Sequence, residues 1–211
     1  MASTFQLIDK IRFTTPLCKF QYPKLIEPET KFNPQGDYKL TCLIDARDAD
    51  ALATQLDELL TKHKASLKTQ APDQKFKLAD LPWSFEEIDG TPYLVVKTKM
   101  KASGVDRDGR RWTAVPALFD AKGLPVKDRE SLRSMWSGTV GKASVEACPF
   151  YQPAIGAGVT LRLRAVQVIS LVQSGGSAES FGFEESDGWS ADNKEIPFDS
   201  TGVGPVDDGD F

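Results

Sequence analysis

The alternation of apolar and polar residues along the chain predicts a mainly β protein. Side chains on a strand point alternately to opposite faces, so a period of two marks a strand with one buried face. Four segments have this period: 38–44, 93–101, 138–151 and 159–172. Residues 5–22 are rich in β-branched and aromatic residues but are interrupted by Pro16, which predicts one long edge strand or two short ones.

One segment, residues 46–66, has instead the period of an amphipathic helix. Its apolar stripe consists of Leu52, Leu56, Leu59, Leu60 and His63. Asp45 or Asp48 is placed to cap the first turn. We interpret His63 as a packing residue, because a lone histidine on such a stripe is far more often structural than catalytic.

Three segments lack a regular period and are predicted connections. Residues 23–35 run into a turn at Asn33-Pro34-Gln35-Gly36, and residues 67–92 close with the turn Asp89-Gly90. Residues 116–137 are irregular apart from a short helical turn that we place at 127–135.

The number and order of these elements favour a small barrel. About five or six strands with one inserted helix are compatible with an OB-fold-like, curved, mostly antiparallel barrel. Gly141, Ala143 and Ala147 place small residues inside one strand, which suits a sharply curved sheet. A two-sheet sandwich has the same periodicity and stays open.

Charge divides the chain into two parts of opposite sign, which the net charge of −4 conceals. Residues 179–211 hold ten acidic residues and one base, whereas residues 1–178 hold 25 Lys and Arg against 20 Asp and Glu. The acidic part is rich in Gly, Ser and Asp and cannot bury enough apolar surface to offset the entropy of ordering it. We therefore predict an OB-fold-like domain over 1–178 and a disordered acidic C-terminal tail over 179–211.

Cysteine and histidine usage indicates neither a metal site nor a disulfide framework, and we expect no cofactor. Three cysteines and one histidine are widely spaced, with no CxxC motif. This pattern favours a reducing cytosol. Because the first residues lack the apolar run of a signal peptide and no stretch is long and apolar enough to span a bilayer, we expect a soluble intracellular protein without a membrane partner.

Lysines occupy one face of the predicted strand 93–101. Period-two geometry places Tyr93, Val95, Lys97, Lys99 and Lys101 together, opposite an apolar face. Such a face either binds a polyanion or is a solvated strand edge that guards against aggregation. The turn that follows favours the first interpretation, because it adds three arginines beside Trp112.

Cations combined with exposed rings suit a nucleic acid. Lysines and arginines neutralise phosphates with release of counterions, and aromatic rings stack on bases of any sequence. We predict phosphate contacts from Lys97, Lys99, Lys101, Arg107, Arg110, Arg111, Arg162 and Arg164. We predict base stacking on Phe20, Tyr22, Tyr93 and Trp112. The pattern around Phe20 and Tyr22 also fits a pair of core residues, so both interpretations stay open.

Catalysis is not indicated by the residue pattern. A metal-dependent nuclease needs clustered carboxylates or histidines to hold the metal and act as the base. The paired acids Glu86-Glu87 and Asp106/Asp108 fall in predicted turns without a histidine partner. A structural or strand-annealing recombination protein would share the basic face and stays an alternative.

Three runs of the sequence resemble the single-stranded DNA-binding proteins of tailed bacteriophages: Lys31 to Tyr38, Gly138 to Ala147 and Gly158 to Ile169. The closing Asp207-Asp208-Gly209-Asp210-Phe211 is similar to their acidic C-termini, which end in phenylalanine. The resemblance implies an OB-fold and sequence-independent binding of single strands. It also implies a role in phage DNA replication, recombination and repair, in the cytoplasm of an infected bacterial host cell.

The resemblance further implies that the tail contacts replisome proteins such as the DNA polymerase or the helicase-primase. The tail residues concerned are Asp207, Asp208, Asp210 and Phe211. An acidic tail on a basic domain can also compete with DNA for the same face. Residues 116–137 form an insertion relative to the simplest family pattern, and a homodimer through an exposed edge strand or the tail stays open.

Overall fold

The computed structural model describes residues 5–173, which form ten strands, one α-helix and one 3₁₀ turn. The strands before the helix are β1 (Ile11–Thr14), β2 (Cys18–Glu29) and β3 (Asp37–Asp45), and the helix is α1 (Ala46–Gln70). The strands after it are β4 (Trp83–Ile88), β5 (Thr91–Lys101), β6 (Ser103–Val105), β7 (Arg111–Thr113), β8 (Ala117–Phe119), β9 (Val140–Gln152) and β10 (Gly156–Ser170). The 3₁₀ turn is Glu130–Leu132.

Five strands close into a ring in the order β2, β3, β5, β10, β9 and back to β2. Neighbours in the ring are antiparallel except β5 and β10, which are parallel and joined at the single pair Lys99 and Arg162. The prediction of a mainly β, OB-fold-like barrel with one helix is confirmed. The helix follows β3, and the sandwich alternative is wrong because the sheet closes on itself.

The core lies inside the ring and under α1, where the apolar stripe of the helix is buried. Asp45 caps the helix by accepting a hydrogen bond from the backbone nitrogen of Arg47 at 3.0 Å. His63 is fully buried and its Nε2 lies 2.8 Å from the carbonyl oxygen of Phe150. Its surroundings are those of the packing residue that we predicted.

Close backbone approach fixes where the ring closes. A Cβ atom at Gly141 would lie 2.1 Å from the carbonyl oxygen of Gln167 and 2.6 Å from the Phe20 ring. Only glycine therefore fits where β9 passes between β2 and β10. This agrees with the predicted need for small residues in that strand.

Two predicted connections contain strands. β2 continues to Glu29 through the segment that we predicted as a loop, because two irregularities in its pairing with β3 place Pro23 and Pro28 at unpaired positions. β4 forms a hairpin with β5 around Asp89 and Gly90, both with positive φ. Its exposed, charged face hid the alternation from the sequence pattern.

The region after β5 also differs from the prediction. Where the sequence pattern predicted only a turn, β6 and β7 pair with each other as a separate two-stranded sheet that carries the arginines. Residues 116–137 include the short strand β8, parallel to β10, and the helical turn expected at 127–135 is limited to the 3₁₀ turn. In the described part of the chain, no helix has both the length and the apolar character that crossing a membrane requires.

Candidate nucleic-acid interface

Lysines of β5 point away from the barrel core. Lys97, Lys99 and Lys101 are exposed, and they alternate with the buried or half-buried Thr98 and Met100. The outer surface of this strand is therefore cationic, as the period of two predicted.

Cross-strand register extends this charge across the barrel. Lys24 of β2 lies opposite Lys39 of β3, Lys39 opposite Lys99 of β5, and Lys99 opposite Arg162 of β10. We call these four residues the cationic row. Neighbouring strands are ~4.8 Å apart, so the row spans ~14 Å perpendicular to the strands.

Carboxylates neutralise only part of this surface. Lys39 binds Glu29 at 2.6 Å, and this hydrogen bond lowers the pKa of Glu29. Lys97 lies 3.8 Å from Glu86. Among residues 5–173, no carboxylate lies within 4 Å of the side-chain nitrogens of four cations: Lys24, Lys99, Lys101 and Arg162.

Glu146 faces Arg162 across the β9–β10 ladder but is bound elsewhere. Its side chain is 2% exposed and accepts bonds from Lys10 and Arg12, each at 3.0 Å. The Lys10 bond first, and then that of Arg12, lowers its pKa from 4.5 to about 2. Both cations lie in the segment beside β9 that includes β1. Because Glu146 is paired with these two cations, Arg162 has no counter-ion among the described residues.

A cleft of about 500 Å³ opens beside the row, between β5 and β10. The segment ending at Pro82 is bonded to both of these strands. On the β5 side, the Pro82 carbonyl accepts a hydrogen bond from the Lys97 backbone nitrogen at 2.8 Å. On the β10 side, Ala157 exchanges backbone bonds of 2.8 and 2.9 Å with Lys77 and Ala79. Ile155, in the β9–β10 turn, lines the far wall.

Phe32, in the β2–β3 loop, is an exposed ring that our sequence analysis did not assign. Its side chain is 77% exposed. The Nζ atoms of Lys31 and Lys39 lie 5.3 and 5.6 Å from its ring centroid. An exposed ring beside the cationic row suits base stacking. The sequence signal was an isolated aromatic residue flanked by a lysine and a turn.

Lys24 and Lys39 were also not predicted. Lys39 alternates with the buried Tyr38 and Leu40, so its outward position could have been predicted from the alternation in the strand 38–44. Lys24 was hidden by the prediction of a loop after Tyr22.

The β6–β7 hairpin carries Arg107, Arg110, Arg111 and Trp112, all exposed. Its base is bonded to the β2–β3 loop, because the Ala102 nitrogen donates to the Gly36 carbonyl at 2.9 Å. The Trp112 ring lies against Gly104, where a Cβ would be 2.5 Å from it. The hairpin therefore starts beside the loop that carries Phe32.

The carboxylate of Asp106, which we considered as a metal ligand, accepts bonds from two backbone nitrogens of the turn, those of Asp108 and Arg110.

Two predicted aromatic residues are placed differently from each other. Phe20 is 1% exposed in the core, so the predicted stacking role for Phe20 is wrong. It shares the inner barrel face with Cys18, and the sequence pattern could not tell which face was inner. Tyr22 is 71% exposed, because an irregularity after Gln21 ends the alternation.

The two remaining predicted residues, Tyr93 and Arg164, lie on β5 and β10. Tyr93 is half-buried at the far end of β5, with its hydroxyl 3.5 Å from Lys19 Nζ. Arg164 is exposed at a bulge of β10, where Leu163 and Ala165 pair with consecutive residues of β9. The bulge shifts the alternation by one residue, so Val166 is buried although it lies four residues after the exposed Arg162.

The predicted tail residues Asp207, Asp208, Asp210 and Phe211 lie outside the described residues. Within residues 5–173, no three His, Cys, Asp or Glu side chains form a group that could hold a metal ion.

The fold and the position of the cationic face match the OB-fold. An OB-fold is a five-stranded barrel in which the second and third strands and two adjoining loops contact oligonucleotides. Counted around this ring, the second and third strands are β3 and β5, which carry Lys39 and Lys99.

The solved structures to which this fold is similar include phage single-stranded DNA-binding proteins, in agreement with the resemblance noted in the sequence. Gp2.5, encoded by bacteriophage T7, is 23% identical with a TM-score of 0.67, over 87% of this chain and 100% of that one. The bacteriophage Enc34 protein is 14% identical with a TM-score of 0.56, over 81% and 89%. The Enc34 protein in complex with single-stranded DNA is 12% identical with a TM-score of 0.52, over 82% and 100%. No protein-family profile and no curated protein sequence matches the chain.

Proposed function

We propose that this protein binds single-stranded DNA without sequence preference. The observation that carries the proposal is the cationic row, which crosses four neighbouring strands on one face of the barrel. Three of its members, Lys24, Lys99 and Arg162, have no carboxylate within 4 Å among the described residues. Phosphates lying over the row would relieve its mutual repulsion and release counterions.

Sequence independence follows from the kinds of side chain at the interface. Lysine amines bind phosphates as point charges, and Phe32 and Trp112 offer rings on which any base can stack. The likeness of the fold to phage proteins that bind single-stranded DNA supports the same function.

Salt dependence tests the proposal. The affinity for oligo-dT should fall with a log–log slope of about −0.7 for each phosphate neutralised, hence about −3 for the four cations of the row. Competition with duplex DNA should leave single-stranded DNA bound most tightly, because the bases of a duplex are not free to stack on the rings. A flat salt response would contradict the proposal.

We further propose that the protein acts in phage DNA replication and recombination, in the cytoplasm of an infected bacterial cell. Its acidic tail would compete with DNA and recruit replisome proteins such as the DNA polymerase or helicase-primase. The opposite charges of residues 1–178 and 179–211 support the competition. Deletion of residues 179–211 should therefore tighten oligo-dT binding, and pull-down of polymerase should require Phe211.

We propose binding without catalysis, which a Mg²⁺-dependent cleavage assay on single-stranded and duplex DNA would test.

A homodimer is a further proposal. The edge of β4 away from β5 pairs with no other strand among residues 5–173, and its Phe85 is exposed. Native mass measurements with and without DNA would show whether two copies associate.

A further inference from the structure

A second pair of exposed rings lies at the Lys24 end of the cationic row. Tyr22 and Trp136, the latter 58% exposed, line a cavity of about 210 Å³ with Lys24 also in its wall. The buried Met135 contributes to its lining. The cavity thus offers two rings, an apolar surface and a cation.

The backbone holds both rings in place. The Tyr22 backbone nitrogen donates to Ser137 Oγ at 2.9 Å, and the Trp136 nitrogen donates to the Val172 carbonyl at 2.7 Å. Tyr22 has a backbone φ of +48°, in the left-handed region that residues other than glycine rarely adopt. Such strain persists where the surroundings fix it, and it is concentrated at functional sites.

Lys24 is the cation at this cavity that no carboxylate of the described residues neutralises. Glu27 also lines it, but Glu27 is paired with Arg133, which binds Glu130 as well. Lys24 has no carboxylate within 4 Å in the described part of the chain. Its Cα register with Lys39 makes the cavity continuous with the cationic row.

We infer that the cavity between Tyr22 and Trp136 holds one base of a bound single-stranded DNA, with Lys24 on the adjoining phosphate. The inference rests on the proposed function, and extends the DNA path beyond the face formed by β3, β5 and β10. A base entering the cavity stacks on Tyr22 or Trp136, and neither ring reads its edge. The site therefore lengthens the footprint without adding sequence preference.

The test compares full-length variants on a graded series of oligo-dT lengths. Tyr22→Ala and Trp136→Ala should bind oligonucleotides too short to reach the cavity as the wild type does, and should bind longer ones at least about fivefold more weakly. Leu124→Ala is the control, since Leu124 is an apolar side chain that is 59% exposed but does not line the cavity. Oligonucleotides with one 5-iododeoxyuridine should photocrosslink to Tyr22 or Trp136 only from one end of the bound strand.

Each contrary outcome has a distinct meaning. If the wild type binds oligo-dT with the expected salt slope while both cavity variants match it at every length, the inference fails and the proposed function stands. If the wild type shows no salt-dependent binding of oligo-dT at any length, the proposed function fails and the inference fails with it. If the cavity variants bind long oligo-dT more tightly, the cavity holds the acidic tail with Phe211, which overturns the inference.

Discussion

Lys39 lies directly opposite Lys99 across the β3–β5 ladder, and both side chains project from the outer face of the barrel. Directly opposed like charges destabilise a sheet. Glu29 compensates Lys39 at 2.6 Å, whereas Lys99 has another cation, Arg162, on its other side. The barrel thus carries a local electrostatic cost that a bound polyanion would remove.

Charge reversal at Lys99 tests this relationship directly. Lys99→Glu should weaken oligo-dT binding about tenfold at low salt and reduce the magnitude of the salt slope by about 0.7, because one phosphate contact is lost. Its folding stability should be unchanged or slightly higher, since repulsion with Lys39 and Arg162 is removed. Lys64→Glu on the exposed face of α1 makes the same charge change far from the row in sequence and on another element. If the two variants bind equally well, Lys99 does not contact phosphate.

Phe32 should contribute stacking. Phe32→Ala should cost about 1–3 kcal/mol of binding free energy on oligo-dT, with no loss of stability, because its ring is already solvent-exposed. Fluorescence anisotropy with labelled oligonucleotide measures the change. Phe32→Trp should restore affinity, and a Phe32→Ala variant with wild-type affinity would place the bases elsewhere.

Tyr22 should separate stability from binding. Because its φ of +48° strains any residue with a Cβ, Tyr22→Gly should keep or raise the stability by up to about 1 kcal/mol. The same variant should bind long oligo-dT more weakly. Urea unfolding and DNA titration on one sample check both effects, and a destabilised Tyr22→Gly protein would show that the ring is needed for packing.

Glu146 should make stability depend on acidity. Its folded pKa of about 2 lies below its ordinary 4.5, so the stability it adds is complete above pH 4.5 and is lost as the pH falls through 2. The unfolding free energies of the wild type and Glu146→Gln should therefore differ at pH 7 and converge toward pH 2. Glu58→Gln, at an exposed helix pair with Lys62, is the control. An equal difference at both pH values would contradict the ion-pair assignment.

Gly141 should be intolerant of any side chain. Gly141→Ala places a Cβ 2.1 Å from the Gln167 carbonyl oxygen, which forces β9 and β10 apart and should cost about 3 kcal/mol. Thermal unfolding against Ser144→Ala in the same strand measures the effect. An unaffected melting temperature would mean that the ring closes less tightly at this point than the contact distances imply.

Two features of β-strands explain why the sequence did not predict which side chains are buried. Alternation marks two faces but does not say which is inner, which is why Phe20 was offered as a stacking residue although it packs in the core. Bulges then shift the phase, after Gln21 in β2 and at Arg164 in β10. The bulge at Arg164 has no local sequence signal, because it depends on the pairing with β9.

The sequence by itself determined the period of each main strand, the single capped helix, the lysines on one face of β5 and the opposite charges of the two parts of the chain. These are local properties, encoded by neighbouring residues. Only the tertiary structure decided that Lys24, Lys39, Lys99 and Arg162 align and that Tyr22 and Trp136 line one cavity. Those alignments arise from barrel closure, which joins strands far apart in sequence through a register that no single segment contains.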